Sequence, residues 1–238
     1  VILVRAAAFN LLFYAWIAVL GIACLPLLAL PRRHATVAAR LWARGVLMLL
    51  RHVVGLDHQV EGRAHLPPGP ALIAAKHESA WDTIVFLVAL DDPAYVLKRE
   101  LLALPIYGWF CAKLAMVPVD RTGGATALKA MVAAAGRAVA EGRSVVIFPQ
   151  GTRTAPGVKA PYHPGVYALA AAFPALPVVP VAVDSGRFWG RRAFVKRPGM
   201  ITLRYLEPLS PSLPRRAFMA ELEARIEGAT SALEQAKP

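Results

Sequence analysis

The sequence predicts an α/β fold with a mostly parallel central sheet flanked by helices, preceded by an N-terminal helical segment associated with a membrane. Three observations lead there. From about residue 55 onward, short apolar runs alternate with helix-patterned stretches, the mark of strand–helix–strand units. The first 54 residues centre on a long apolar run without a charge. Hydrophobic residues make up 57% of the 238-residue chain, which carries a formal net charge of +12; ordinary soluble domains hold roughly 45–50% apolar residues, so contact with lipid is expected. The length fits one domain with an appendage, read as a membrane-associated segment over 1–54 and a single α/β domain over 55–238.

A basic chain attracts nucleic acid, anionic lipid headgroups or phosphorylated ligands. Lys and Arg here are scattered or sit beside hydrophobic segments, without zinc-finger spacing, a basic recognition helix or an aromatic RNA-binding block, so nucleic acid is not expected. Cys24 and Cys111 lie far apart in apolar surroundings. They form no disulfide framework and, lacking His or Cys neighbours, no zinc site; a reducing compartment is the default.

Taken in order, Leu11 to Leu30 reads LLFYAWIAVLGIACLPLLAL, about 20 residues, the length of a membrane-spanning helix. The run is long for a cleavable signal peptide and lacks a clear small-residue cleavage site. Arg32, Arg33, Arg40 and Arg44 follow it, which places the downstream domain on the cytoplasmic side of the inner (plasma) membrane. Pro26 and the amphipathic stretch from Val37 to Val54 leave open a helical hairpin lying in one leaflet. Strands are expected at Ala71–Ala75, Ala94–Leu97, Met116–Val119, Ser144–Phe148, Val178–Val183 and Ile201–Tyr205. Thr126 to Ala140 carries Leu128, Met131, Val132, Ala135 and Val139 at helical spacing, with Gly142 suited to its end. Pro214 to about Gln235 repeats the pattern with Phe218, Leu222 and Ile226, a closing amphipathic helix.

In open α/β sheets ligands collect at the carboxyl ends of strands. Three segments fall there. In KHESAWDT, residues 76 to 83, Ser79 reads as the N-cap of a helix to about Leu90, and Asp82 then sits near the positive helix end. The alternative is that the Asp82 carboxylate reaches back to one ring nitrogen of His77, fixing its tautomer and raising the basicity of the other, which makes a base for a hydroxyl. Gln150-Gly151-Thr152-Arg153 follows a strand; Gly151 permits close backbone approach, and Arg153 offers a planar fork to phosphate oxygens. It lacks P-loop spacing, and a tight turn with a solvated arginine is its plainer reading. Asp120-Arg121 is either an internal ion pair or a second phosphate-facing cation, and Lys98 is a weaker candidate of the same kind. No GxSxG elbow appears and neither cysteine has a basic setting, so direct attack by an activated hydroxyl is preferred to a covalent intermediate.

Together these segments resemble the glycerolipid acyltransferase family. His77 and Asp82 match its HxxxxD block. LKRELLALPIYGWFCAKLAMVPVDR, Leu97 to Arg121, resembles its second block, FPQGTRT its FPEGTRS block, and VVPVAV at Val178–Val183 its VPV-type strand. Four blocks in the right order cover roughly residues 70 to 185. The resemblance implies an O-acyltransferase that moves a fatty acyl group from a thioester, acyl-CoA or acyl carrier protein, to the hydroxyl of a lysophospholipid, 1-acyl-glycerol 3-phosphate first. It implies His77 as general base, Asp82 as its orienter, Lys98, Arg121, Gln150, Gly151, Thr152 and Arg153 as substrate binders, helix-start N–H groups for the oxyanion, membrane lipids as partners, and no metal or other cofactor. Lys76 and Glu78 flank the histidine where the family more often has Asn and a neutral residue, and Gln150 replaces the usual Glu, keeping hydrogen bonding to a glycerol hydroxyl but not charge. Glycerol 3-phosphate or a lyso-aminolipid therefore stands as an alternative acceptor. A non-catalytic lipid-binding protein or a hydrolase is the alternative in kind.

Overall fold

A computed structural model describes residues 1–210 and 212–236. The chain opens with a helical hairpin. Helix α1 spans Ile2–Ala23, starting earlier than the apolar run suggests and ending earlier too. Its stop is chemical: Pro26 has no N–H and cannot continue the ladder, so Leu25–Ala29 closes into a 3₁₀ turn. Helix α2, Arg32–Leu49, returns along α1 and loosens into a π turn at Leu50–Val54. The two pack tightly because Gly45 has no side chain: a Cβ there would stand 2.5 Å from the Trp16 ring, whose Nε1 donates to the Trp42 carbonyl at 3.1 Å. Arg32 and Arg40 bind Asp92 and Asp91, which moors α2 to the domain.

Seven strands form one sheet: β1 Leu56–Glu61, β2 Leu72–Ala75, β3 Ala94–Lys98, β4 Val117–Val119, β5 Val145–Ile147, β6 Val178–Val183 and β7 Gly199–Tyr205. Their order is β1-β7-β6-β2-β5-β3-β4. Pairing is parallel everywhere except between β6 and β7. Six strands fall where the sequence predicts them within a residue or two. The seventh, β1, was not expected: LDHQVE is polar, with Leu56 alone fully buried. An edge strand covered on little of its surface needs no apolar run, only a partner's ladder, here β7 from Leu56 opposite Gly199 to Glu61 opposite Arg204.

Strand side chains alternate between two cores, as the period of two requires. Ile73 and Ala75 face a core holding Trp81, Phe86, Val46, Leu50 and, from α1, Phe9. Leu72 and Ala74 face the other. That second core is closed by α5 (Gly124–Ala140), α6 (Gly165–Ala172) and α7 (Arg215–Gln235); Met131 and Ala135 of α5 are buried there, as are Phe218, Leu222 and Ile226 of α7, on the faces the spacing predicts. Gly142, at φ +73°, follows the end of α5. Two further α-helices among the described residues are α3 (Asp82–Ala89) and α4 (Tyr107–Lys113).

Because β6, β2, β5, β3 and β4 run parallel and adjacent, their carboxyl ends lie side by side. His77, the turn from Phe148 to Thr154, and Asp120-Arg121 therefore meet at one edge, though up to 77 residues separate them in sequence.

Candidate active site

His77 leaves β2 just before α3. Its Nδ1 lies 3.0 Å from Oδ2 of Asp82. Asp82 is fully buried and accepts the backbone N–H groups of Glu78 at 2.7 Å and Ser79 at 2.8 Å on that same oxygen. A carboxylate so surrounded accepts the Nδ1–H, which leaves the lone pair on Nε2. The local structure differs from the expected cap in one respect. Ser79 does not start the helix; its Oγ accepts from the Trp81 N–H at 3.1 Å, and Asp82 is itself the first helical residue. Helix α3 has no side-chain cap: the Asp82 carboxylate reaches back to two N–H groups of the preceding loop and to the imidazole. The Glu78 and Ser79 N–H groups, being used by Asp82, are not available as oxyanion donors.

The imidazole stacks on Phe148, with ring centroids 4.1 Å apart and planes at 21°. The following turn grips the histidine's backbone. Gln150 Oε1 accepts the His77 N–H at 3.3 Å, and the Thr154 N–H donates to the His77 carbonyl at 2.9 Å.

A cavity of about 800 Å³ opens beside the ring, within the range of small-molecule and cofactor sites. Its walls are mainly apolar, from Ile17, Gly21 and Trp42 of the hairpin to Phe110, Leu128 and Phe148. His77, Lys98, Arg121, Arg153 and His163 are among the residues that line it. Gly151 is at φ +65°, and a Cβ on it would come within 3.0 Å of the His163 ring; glycine suits both the backbone conformation and the close approach of that ring. Asp120 accepts the Thr122 N–H at 2.9 Å and its hydroxyl; both Asp120 and Arg121 line the cavity. Lys98 also sits at its edge but pairs with Glu100 at 3.0 Å.

Two expected binders stand elsewhere. Thr152 is exposed and does not line the cavity, and Gln150 is buried beneath it. The Gln150 amide donates to Oε1 of Glu227 at 3.3 Å. Glu227 of α7 also receives Lys76 Nζ at 2.7 Å and the Tyr162 hydroxyl at 2.8 Å. Gln150 is therefore a strut for His77 where a ligand contact was expected. The physical reason is its neighbour: an amide at position 150 donates to Glu227, while a second carboxylate would repel it. The same cluster explains Lys76, which is 1% exposed and neutralised by Glu227. Nothing local in the sequence signals Glu227, which lies in the closing helix.

Glu78 is buried too. Its Oε2 accepts the Gly186 N–H at 2.9 Å, while Oε1 has no hydrogen-bond partner among the described residues. Burial, reinforced by the Asp82 charge and opposed by the Gly186 N–H, pushes its carboxyl up to about 8. The sign of the pH effect follows. Below about pH 4.3 the group is protonated both folded and unfolded and has no influence. Between there and pH 8 the unfolded chain loses the proton and the folded one keeps it, so stability falls as pH rises, with the full cost above pH 8. Glu78→Gln is expected to flatten this fall: thermal melts at pH 5 should nearly coincide with wild type, and at pH 9 the variant should melt higher by several degrees. Coincident melts at both pH values would count against it. Cys111 lies on the cavity wall, where burial raises its thiol to about 11, so it is a neutral lining group and not a nucleophilic thiolate.

Fold and site together define a class: an α/β protein in which a carboxylate-oriented imidazole and several basic side chains line a mainly apolar cavity. Comparison with known proteins gives the family. Residues 57–184 match the family model described as Acyltransferase. The chain is 36% identical over 177 residues to the 1-acyl-sn-glycerol-3-phosphate acyltransferase of Pseudomonas aeruginosa, covering 74% of this chain and 68% of that one. It is 29% identical to the mouse 1-acyl-sn-glycerol-3-phosphate acyltransferase alpha, over 85% of this chain and 72% of that. The crystal structure of the 1-acyl-sn-glycerophosphate acyltransferase PlsC of Thermotoga maritima superposes with a TM-score of 0.78 at 21% identity, covering 98% and 97% of the two chains, a likeness of fold. This chain belongs to the acyltransferase family. The resemblance carried by the four sequence blocks is thereby borne out, as is the α/β class.

Proposed function

We propose that this acyltransferase moves a fatty acyl group from an acyl thioester to the free hydroxyl of 1-acyl-glycerol 3-phosphate, giving phosphatidic acid. The names of its relatives agree with that acceptor. One observation carries the reading: the His77–Asp82 pair, at 3.0 Å, stands where an apolar cavity meets Arg121 and Arg153. For an amphiphile with an acyl chain, a hydroxyl and a phosphate, that cavity offers a complementary group to each part.

In the reaction, Nε2 of His77 takes the proton of the acceptor hydroxyl as its oxygen attacks the thioester carbonyl. The tetrahedral adduct then collapses, the C–S bond breaks, and the imidazolium returns the proton to the leaving thiolate. Asp82 holds the tautomer and offsets the transient imidazolium charge. Stacking on Phe148 keeps the ring upright, which reduces the entropy lost on reaching the reactive geometry. Arg153 and Arg121 hold the phosphate, with Lys98 at the edge. Coenzyme A and acyl carrier protein are both anionic, and the net charge of +12 favours encounter with either.

The hairpin supports a membrane role. Leu11, Tyr14, Val19 and Ile22 of α1 are exposed, whereas Phe9 is buried in the domain core. We place α1 and α2 in the cytoplasmic leaflet, with Arg33 and Arg44, both exposed, at the headgroups. Because Ile17 and Gly21 also line the cavity, the acceptor's chain reaches the site without leaving lipid.

An acceptor panel with radiolabelled acyl-CoA tests the function. 1-Acyl-glycerol 3-phosphate should be acylated fastest; preference for glycerol 3-phosphate or a lyso-aminolipid, or release of free fatty acid, would overturn the assignment. Arg153→Ala is expected to raise KM for the phosphate-bearing acceptor roughly tenfold, the worth of one charged hydrogen bond, with kcat nearly kept. An unchanged KM would remove Arg153 from the phosphate site.

A further inference from the structure

The strand β6 ends at Val183, and the turn that follows it supplies a contact that none of the motif blocks contains. The hydroxyl of Ser185 donates to Oδ1 of Asp82. The direction is settled by chemistry, since a carboxylate has only acceptors. We infer that Ser185 is a positioning residue for acyl transfer, setting the rotation of the Asp82 carboxylate and through it the aim of His77; the inference rests on the base reading proposed above.

The distribution of donors on Asp82 is uneven. Oδ2 receives three, from His77, Glu78 and Ser79, while Ser185 serves Oδ1. Three donors cannot all keep good lines to one oxygen unless the carboxylate plane is held, and a bond to the opposite oxygen holds it. Ser185 is itself fully buried and its own position is fastened on every side. Asp184 before it accepts the Thr202 N–H of β7 at 2.7 Å. Gly186 after it donates to Glu78 at 2.9 Å and has no room for a side chain, since a Cβ would stand 2.9 Å from that of Glu78. The Ser185 carbonyl accepts the N–H groups of Phe188 at 3.1 Å and Trp189 at 2.9 Å. Trp189 in turn packs edge-on against Phe9 of α1, with centroids 5.6 Å apart. A hydroxyl so tied does not wander, and its place is inherited by the carboxylate.

The test uses the full-length protein in lipid-containing micelles. Ser185→Ala is expected to lower kcat about tenfold while KM for thioester and acceptor each stay within twofold. The low-field proton resonance of the His77 Nδ1–H, identified by its loss in His77→Ala, should shift. Ser185→Cys, which retains bulk and a weak donor, should fall between alanine and wild type, and it serves if the alanine variant does not fold. Undiminished kcat in both variants, or a loss matched by a smaller folded fraction with the resonance unmoved, would overturn the inference. If His77→Ala itself stays active, the base reading fails; if only the Ser185 variants stay active, the role of Ser185 alone fails.

Discussion

Replacing His77 with alanine is expected to cut acyl transfer by about 10²- to 10⁴-fold, the usual contribution of a general base, while leaving a folded protein that still binds vesicles. Both halves of that expectation come from the geometry. The ring supplies the basic nitrogen beside the cavity. The backbone of residue 77 is held independently, by Gln150 and Thr154, and Asp82 keeps its two backbone donors and Ser185. Stripping the ring leaves a small void against Phe148 and nothing unsatisfied on the carboxylate. Turnover with radiolabelled acyl-CoA, read beside a thermal melt and vesicle flotation, checks it. Near wild-type turnover would remove His77 from the mechanism.

Asp82→Asn should be almost as damaging, on the order of 10²- to 10⁴-fold in kcat, the range set by spoiling a histidine's orienting acid. An asparagine has one acceptor oxygen and one NH₂ group where the carboxylate has two acceptors. If the oxygen takes the three-donor side, the geometry survives but the negative charge opposite the imidazolium is lost. If the NH₂ group takes that side, it faces the Glu78 and Ser79 N–H groups and the ring must adopt the wrong tautomer. Either outcome slows the chemical step and spares the phosphate site, so KM for the acceptor should change little. The charge lost here also raises Glu78, so the variant's Glu78 should titrate lower than in wild type. A kcat within threefold of wild type would show that the carboxylate only braces the loop before α3.

Much of this was readable from residue order. Alternating apolar runs mark six of seven strands, because buried strands must be apolar on both faces. Helical spacing in α5 and α7 marks their buried sides for the same reason. The strand β1 escaped because an edge strand with one buried leucine carries almost no hydrophobic signal; its partner's backbone makes it a strand. The apolar run at residues 11–30 marks a lipid-seeking segment, but only geometry divides it at Ala23, where Pro26 ends the ladder, and returns α2 along it.

At the site, residue chemistry made His77, Asp82, Arg121 and Arg153 candidates beside plainer readings, and the resemblance of the four blocks gave them their roles. Gln150, Thr152 and Lys76 show the limit. Whether a polar side chain meets a ligand or braces a backbone depends on what lies beneath it, and beneath Gln150 lies Glu227, from a helix 77 residues further on. Ser185 is 103 residues from Asp82 in the chain and carries no motif of its own. The chain's order thus determined the layers, the apolar hairpin and the reactive groups, all consequences of short-range pattern and side-chain chemistry. Tertiary structure decided which polar groups face the cavity and which support it, because a buried hydrogen bond is chosen by the neighbours that parallel strands deliver from distant sequence, and no local pattern encodes them.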